Sequence, residues 1–114
     1  MRLRPQNNSG EEKVALEPIV ISVESDMADL VPLFLNQRRL DQAAVAAAIA
    51  ARDFEAVRRI GHAMAGAGTS YGFAALSLLG ERLGQAARAG DVAGLEALRC
   101  DFDDYMSRLI VKYM

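Results

Sequence analysis

Apolar residues recur every three or four positions along most of the chain, which is the spacing of one face of an α-helix. The pattern begins at Ser25 and predicts five helical stretches: one that starts at Ser25, then about 40–51, a stretch behind Asp53, about 74–89 and about 92–113. Helices of similar length that are joined by short loops pack antiparallel. The prediction is therefore an all-α, up-down antiparallel four-helix bundle with an extra N-terminal helix.

Polar residues, glycines and a proline mark where these helices begin, end or bend. Ser25 and Asp53 are residue types that cap helix N-termini. Gly72 is expected to close a helix with a left-handed backbone, and Gly90 is expected to end the next helix. Pro32 lies inside the first apolar stripe, so a kink is expected there. Two sets of positions are expected to face the core on the second and last helices: Leu40, Ala44, Ala47 and Ala48, and Leu95, Leu98, Phe102, Tyr105, Leu109 and Tyr113.

The chain before Ser25 lacks helical periodicity. Residues 1–16 mix Arg, Asn, Ser, Gly and Glu, whereas residues 17–24 are rich in β-branched side chains and partly alternating. A lone strand has no partner for its backbone groups. We therefore expect residues 1–24 to form a mobile leader and an extended strap along the helical body, and residues 25–114 to form the bundle. The leader has no apolar core of the kind found in secretory signals.

Composition excludes several classes of function. Thirteen Lys and Arg against fifteen Asp and Glu give a net charge of −2, which argues against a nucleic-acid-binding surface. The longest apolar stretch is far shorter than a bilayer span. A single His and a single Cys exclude an internal disulfide and a metal site built from several of these ligands. We expect a cytoplasmic monomer that binds no cofactor, metal, nucleic acid or membrane.

The single histidine, His62, is predicted to lie on the flank of the third helix, beside its buried stripe but in contact with water. Arg58 and Arg59 precede it by four and three residues, and Ala65 and Gly66 follow it by three and four. Residues at these spacings share one patch of helix surface. This patch is the candidate functional site.

The run GHAMAGAGTSYGF around His62 resembles the signature of histidine-containing phosphotransfer (HPt) domains. In that signature the His is followed by two variable residues, then Lys-Gly, and later by a Gly that closes the helix. His62, Gly66 and Gly72 match it, whereas the family's Lys is Ala65 here. The resemblance covers about residues 26–112, including the helices on both sides.

The resemblance implies that His62 accepts a phosphoryl group from the aspartyl phosphate of a response-regulator receiver domain, or from a histidine kinase, and passes it on. It also implies that the Mg²⁺ and the acid pocket belong to the receiver, so that this chain is a phosphocarrier and not an enzyme. Arg58 and Arg59 on the preceding turn, or Arg88 on the neighbouring helix, could replace the family's Lys, and small neighbours would let a receiver approach. The expected phosphate-neighbouring or docking residues are Arg58, Arg59, Ala65, Gly66, Thr69 and Arg88.

Three other interpretations remain open. A lone histidine on a bundle helix can be structural or merely solvated. The main functional alternative is a non-phosphorylated, HPt-like binding module that holds a receiver domain or another partner, and Ala65 in place of Lys favours it. An enzyme with its own active site ranks third, because one His and one Cys leave no assembled acid–base pair.

Overall fold

The computed structural model describes residues 17–114, and the leader predicted for residues 1–16 lies outside them. Within these residues, four α-helices and two short strands make up the regular structure: β1 Ile19–Val23, α1 Val31–Ala50, α2 Phe54–Gly68, α3 Ala74–Ala89, α4 Val92–Arg108 and β2 Leu109–Tyr113. Short connections join the four helices, which form the predicted all-α bundle around one apolar core. No helix in this part of the chain is long and apolar enough to cross a membrane.

Local signals set the start of α2 and the end of α3 as predicted. The side chain of Asp53 caps α2 by accepting a hydrogen bond from the backbone N–H of Ala56 at 3.1 Å. Gly72 follows a 3₁₀ turn, Thr69–Tyr71, and has a φ of 87°. Gly90 ends α3 with a φ of 66°. Both values lie in the left-handed region that favours glycine.

The extra N-terminal helix and its kink are wrong predictions. Ser25–Met27 forms a single 3₁₀ turn, and no side-chain cap is made there. The first α-helix, α1, begins at Val31 and continues unbroken to Ala50. Pro32 lies in its first turn. Proline is tolerated there because the backbone N–H groups of the first turn have no intrahelical acceptor, so none is lost. Pro32 therefore starts the helix and does not bend it.

The inward face of α1 also differs from the prediction in its C-terminal half. Ala48 is buried as predicted, but three residues expected in the core are exposed: Leu40, Ala44 and Ala47. The buried face instead runs through Val45 and Ile49. Arg38 and Asp41 occupy the intervening buried positions and interrupt the apolar stripe in the sequence. Because these two buried residues are charged, the hydrophobic pattern predicted the wrong inward face for this half of α1.

Arg38 and Asp41 form a buried ion pair, with exposed fractions of 5% and 7%. Nε of Arg38 lies 2.8 Å from Oδ2 of Asp41, but neither atom has a hydrogen-bond partner of good geometry among the described residues. Gln37 donates a hydrogen bond to Oδ1 of Asp41 at 3.2 Å. The guanidinium of Arg38 lies 4.9 Å from the ring centroid of Phe34. The pair is therefore held by charge and packing more than by directed hydrogen bonds.

The prediction of an unpaired strap is also wrong, because β1 pairs in parallel with β2. Ile19 lies opposite Leu109, and Val23 lies opposite Tyr113. The last helix accordingly ends at Arg108, and the two residues beyond it that were expected in the core, Leu109 and Tyr113, are half-buried and exposed. The β-branched run in β2 suits a strand. We call this pair of strands the terminal ribbon.

The most extensive helix contact is between α2 and α3, and glycines allow it. A Cβ atom at Gly61 would lie 2.5 Å from the carbonyl oxygen of Gly80. One at Gly68 would lie 2.6 Å from Oγ of Ser77. No side chain fits at either place, so the two helix backbones touch. This close contact fixes α2, the helix that bears His62, against α3.

Candidate functional site

His62 projects from the middle of α2 into solvent. Gly61 and Met64, on either side of it in sequence, are buried, which orients α2 and turns His62 outward. Its ring makes no hydrogen bond to any residue in 17–114. Both ring nitrogens are therefore available to a partner as far as the described residues are concerned.

A groove of about 170 Å³ lies beside His62, between α2 and α3. We call it the His62 groove. Its lining residues are Arg58, His62 and Ala65 from α2, and Gly80, Glu81, Gly84, Gln85 and Arg88 from α3. The two glycines have no side chains to fill it. An arginine from each helix therefore shares this opening with the imidazole.

Arg58 is bound to a carboxylate on its own helix. Its Nε donates to Oε1 of Glu55 at 3.1 Å, and its Nη2 donates to Oε2 of the same carboxylate. The hydrogen bond from Arg58 lowers the pKa of Glu55, and the same bond raises the pKa of Arg58. Both groups are solvent-exposed, so this pairing is easily exchanged. Arg58 therefore lines the groove, but its guanidinium is bound to Glu55 and not to His62.

Arg88 reaches the groove from the last turn of α3. It forms no salt bridge with any residue in 17–114. A Cβ atom at Gly84 would lie 3.8 Å from Nη1 of Arg88, so this side chain lies back along α3 towards the groove. Arg59, by contrast, is exposed on α2 and does not line the groove.

The three small residues predicted near the site have different surroundings. Ala65 lines the groove, and its carbonyl accepts a hydrogen bond from Oγ of Ser77 at 3.0 Å. Gly66 is exposed, and a Cβ atom there would meet nothing within 4 Å. Thr69 is exposed outside the groove, with its Oγ1 2.9 Å from Oγ of Ser77. At Gly66, the face of α2 beyond His62 therefore has no side chain that would obstruct a partner.

Two polar residues of the groove, Glu81 and Gln85, were missed by sequence reasoning. They precede Arg88 by seven and three residues, so they share its face of α3. That spacing was a usable signal once Arg88 had been singled out. Glu81 adds a carboxylate to a groove that otherwise carries two guanidinium groups.

Within residues 17–114, no three His, Cys, Asp or Glu side chains converge where they could hold a metal ion. In comparisons with known proteins, the family model described as Hpt domain matches residues 29–110. No curated protein and no solved structure matches the chain.

Proposed function

The chain belongs to the Hpt domain family, and from this membership we propose that it carries a phosphoryl group on His62 in a two-component phosphorelay. Hpt domains are phosphocarriers that interact with receiver domains and kinases in such relays. The observation that supports His62 is its exposed ring, without a hydrogen bond to any described residue, at a groove that also contains Arg58 and Arg88.

The proposed step is a transfer from an aspartyl phosphate of a receiver domain. A ring nitrogen of neutral His62 attacks the phosphorus with its lone pair, so that an N–P bond forms. The P–O bond to the aspartyl group breaks, and the donor carboxylate leaves with the bonding electrons. The second ring nitrogen keeps its proton, which makes the ring cationic until that proton passes to water. The same step in reverse delivers the phosphoryl group to the next receiver.

Positive charge near the ring supports this step, because phosphoryl transfer depends mainly on positioning and charge stabilisation. Arg58 and Arg88 line the groove from opposite helices. A guanidinium can form two parallel hydrogen bonds to phosphoryl oxygens. In this proposal the two arginines take over the task of the family's Lys, whose position is occupied by Ala65.

A receiver would dock over the exposed side of α2. Gly66 leaves this side open, and Thr69 and Arg59 are exposed close to it in sequence. The proposal assigns the Mg²⁺ and the acid pocket to the receiver. It also treats the chain as a cytoplasmic monomer whose phosphocarrier unit is residues 25–114.

The proposal is tested by phosphotransfer from a phosphorylated receiver in the presence of Mg²⁺. We expect the wild-type chain to acquire label that is stable to alkali and labile to acid, the behaviour of a phosphoramidate. His62→Gln should acquire none, because the glutamine amide has no comparable nucleophilic lone pair. Its helix content, measured by circular dichroism, should stay that of the wild type, since His62 is exposed.

Lys112→Gln serves as a control, because Lys112 is exposed on β2 and does not line the groove. It should be labelled like the wild type. Label that persists on His62→Gln would contradict the assignment of the phosphoacceptor.

The second candidate is an HPt-like module that binds a receiver without accepting phosphate. It is favoured by Ala65 and by the pairing of Arg58 with Glu55, which leave less positive charge at His62. Saturable binding of a receiver by a wild-type chain that acquires no label would support this candidate over the first.

A further inference from the structure

Arg58 has two polar neighbours on its face of α2. Glu55 precedes it by three residues and His62 follows it by four, so both lie within one turn. In the structure its guanidinium is bound to Glu55 through two hydrogen bonds, although Arg58 also lines the groove of His62. The same cation can therefore serve either an anion at residue 55 or one at residue 62.

The direction of helical side chains explains the resting state. Cα–Cβ bonds tilt towards the helix N-terminus, so long side chains lie over the preceding turn. Arg58 accordingly leans towards Glu55, while His62 leans towards Arg58. A phosphoryl group on His62 would lie over the turn that bears Arg58, within reach of a guanidinium that changes its rotamer.

The two possible acceptors differ in charge, but the pair that holds Arg58 in the structure is weak. Glu55 offers one charge and two oxygens, whereas a phosphoryl group offers up to about two charges and three oxygens. The side chains of Arg58 and Glu55 are 41% and 65% exposed, and ion pairs in such surroundings contribute little. A single substitution can therefore shift the balance between the acceptors.

We propose that Glu55 is a positioning residue that competes with the phosphoryl group on His62 for the guanidinium of Arg58. This inference rests on the proposed function of His62 and adds a residue that controls how much of the positive charge of Arg58 is available to the site. Glu55 weakens the hold on the phosphoryl group, which favours its onward transfer. No bond other than hydrogen bonds is made or broken in this exchange.

The test measures the equilibrium constant for transfer from a phosphorylated receiver to this chain, together with the lifetime of the phosphohistidine after the receiver is removed. Glu55→Gln should raise both by about two- to five-fold, because an exposed charge pair has an effect of this size. Arg58→Ala should lower both to a similar degree. The double variant should behave like Arg58→Ala alone, since Glu55 acts only through Arg58.

The chain contains a matched control on α4. Arg99 pairs with Glu96 at the same three-residue spacing, with Nε 2.9 Å from Oε1, and neither residue lines the groove. Glu96→Gln should leave both measurements at the wild-type value. Added salt should reduce the effect of Glu55→Gln, because exposed charges are screened, whereas an effect on folding alone would not follow ionic strength in this way.

The outcomes separate the inference from the proposed function. A labelled wild type with an unchanged Glu55→Gln variant overturns the role of Glu55 and leaves His62 as the phosphoacceptor. A gain from Glu55→Gln that survives in the Arg58→Ala background also overturns it, because the carboxylate would then act on the phosphoryl group directly. A wild type that acquires no label overturns both proposals.

Discussion

Ala65 occupies the position from which a cation would reach His62 most directly. A side chain three residues after His62 points back over it, because helical side chains tilt towards the N-terminus. Arg58, four residues before it, must turn against this tilt and leave Glu55. If His62 is the phosphoacceptor as proposed, this geometry gives a physical reason for the family's Lys position.

Ala65→Lys should lengthen the life of the phosphohistidine by about two- to five-fold, the effect expected for one exposed charge-assisted contact. The lifetime is measured after the phosphorylated receiver has been removed. Ala63→Lys adds the same charge at an exposed neighbouring position, but about 100° around the helix from His62. Equal lifetimes for the two lysine variants would contradict a directed contact from residue 65.

The structure places His62, Arg58 and Arg88 in one groove. Helical spacing alone predicted the exposure of His62 and its proximity to Arg58, whereas Arg88 entered only through the family resemblance. Spacing could not predict whether the guanidinium of Arg58 pairs with Glu55 or lies beside His62, because this depends on the rotamer of Arg58. Spacing also grouped Arg59 with the site, and the resemblance added Thr69, whereas both lie outside the groove. Their roles in docking stay predictions.

The contact between α2 and α3 leads to a prediction at the scale of elements. Gly80→Ala should destabilise the fold by about 1–3 kcal/mol, because the added Cβ would press on the carbonyl oxygen of Gly61 and on the backbone of Ala65. The shift that relieves this pressure would also widen the His62 groove, to which Gly80 belongs. The change in the free energy of unfolding is measured by urea denaturation.

Gly66→Ala is the matched control for this contact. A Cβ atom there meets nothing within 4 Å, and alanine stabilises a helix interior by about 0.5–1 kcal/mol relative to glycine. The two Gly→Ala variants should therefore move the urea midpoint in opposite directions. If both variants lose stability, the inference that Gly80 is closely packed and Gly66 is open is contradicted.

Element boundaries were predictable where the signal was local. The prediction of about 74–89 agrees with α3, Ala74–Ala89, because Gly90 ends that helix by its backbone conformation. The prediction for α1 was wrong because Arg38 and Asp41 stand where an apolar side chain was expected. The two side chains pair locally, three residues apart on α1, but their burial depends on tertiary packing, which the hydrophobic pattern does not encode.

At the scale of the whole molecule, the terminal ribbon joins the segment before the bundle to the segment after it. Val23 is 6% exposed and Val20 is 49% exposed, since the two residues lie in different surroundings on one strand. Val23→Ala should cost about 1–3 kcal/mol of stability through lost burial and the cavity left behind. Val20→Ala should change stability by no more than about 0.5 kcal/mol.

Thermal or urea unfolding of the two valine variants checks this prediction. Similar losses in both would mean that β1 is stabilised mainly by its backbone pairing with β2. The ribbon itself was not predictable from local pattern, because each strand finds its partner at the far end of the described chain: Ile19 pairs with Leu109. In the sequence, β1 had no evident partner strand, and the apolar residues of β2 continued the helical spacing of α4.

Parallel pairing also determines how tension passes through the molecule. The chain enters the ribbon at Ile19 and leaves it at Tyr113, which lies beside Val23 at the opposite end. A pull applied to the two ends acts along both strands in shear, so the hydrogen bonds between them share the load and do not open one after another. The four helices, which lie between the two strands in the sequence, bear little of that force until the ribbon unfolds.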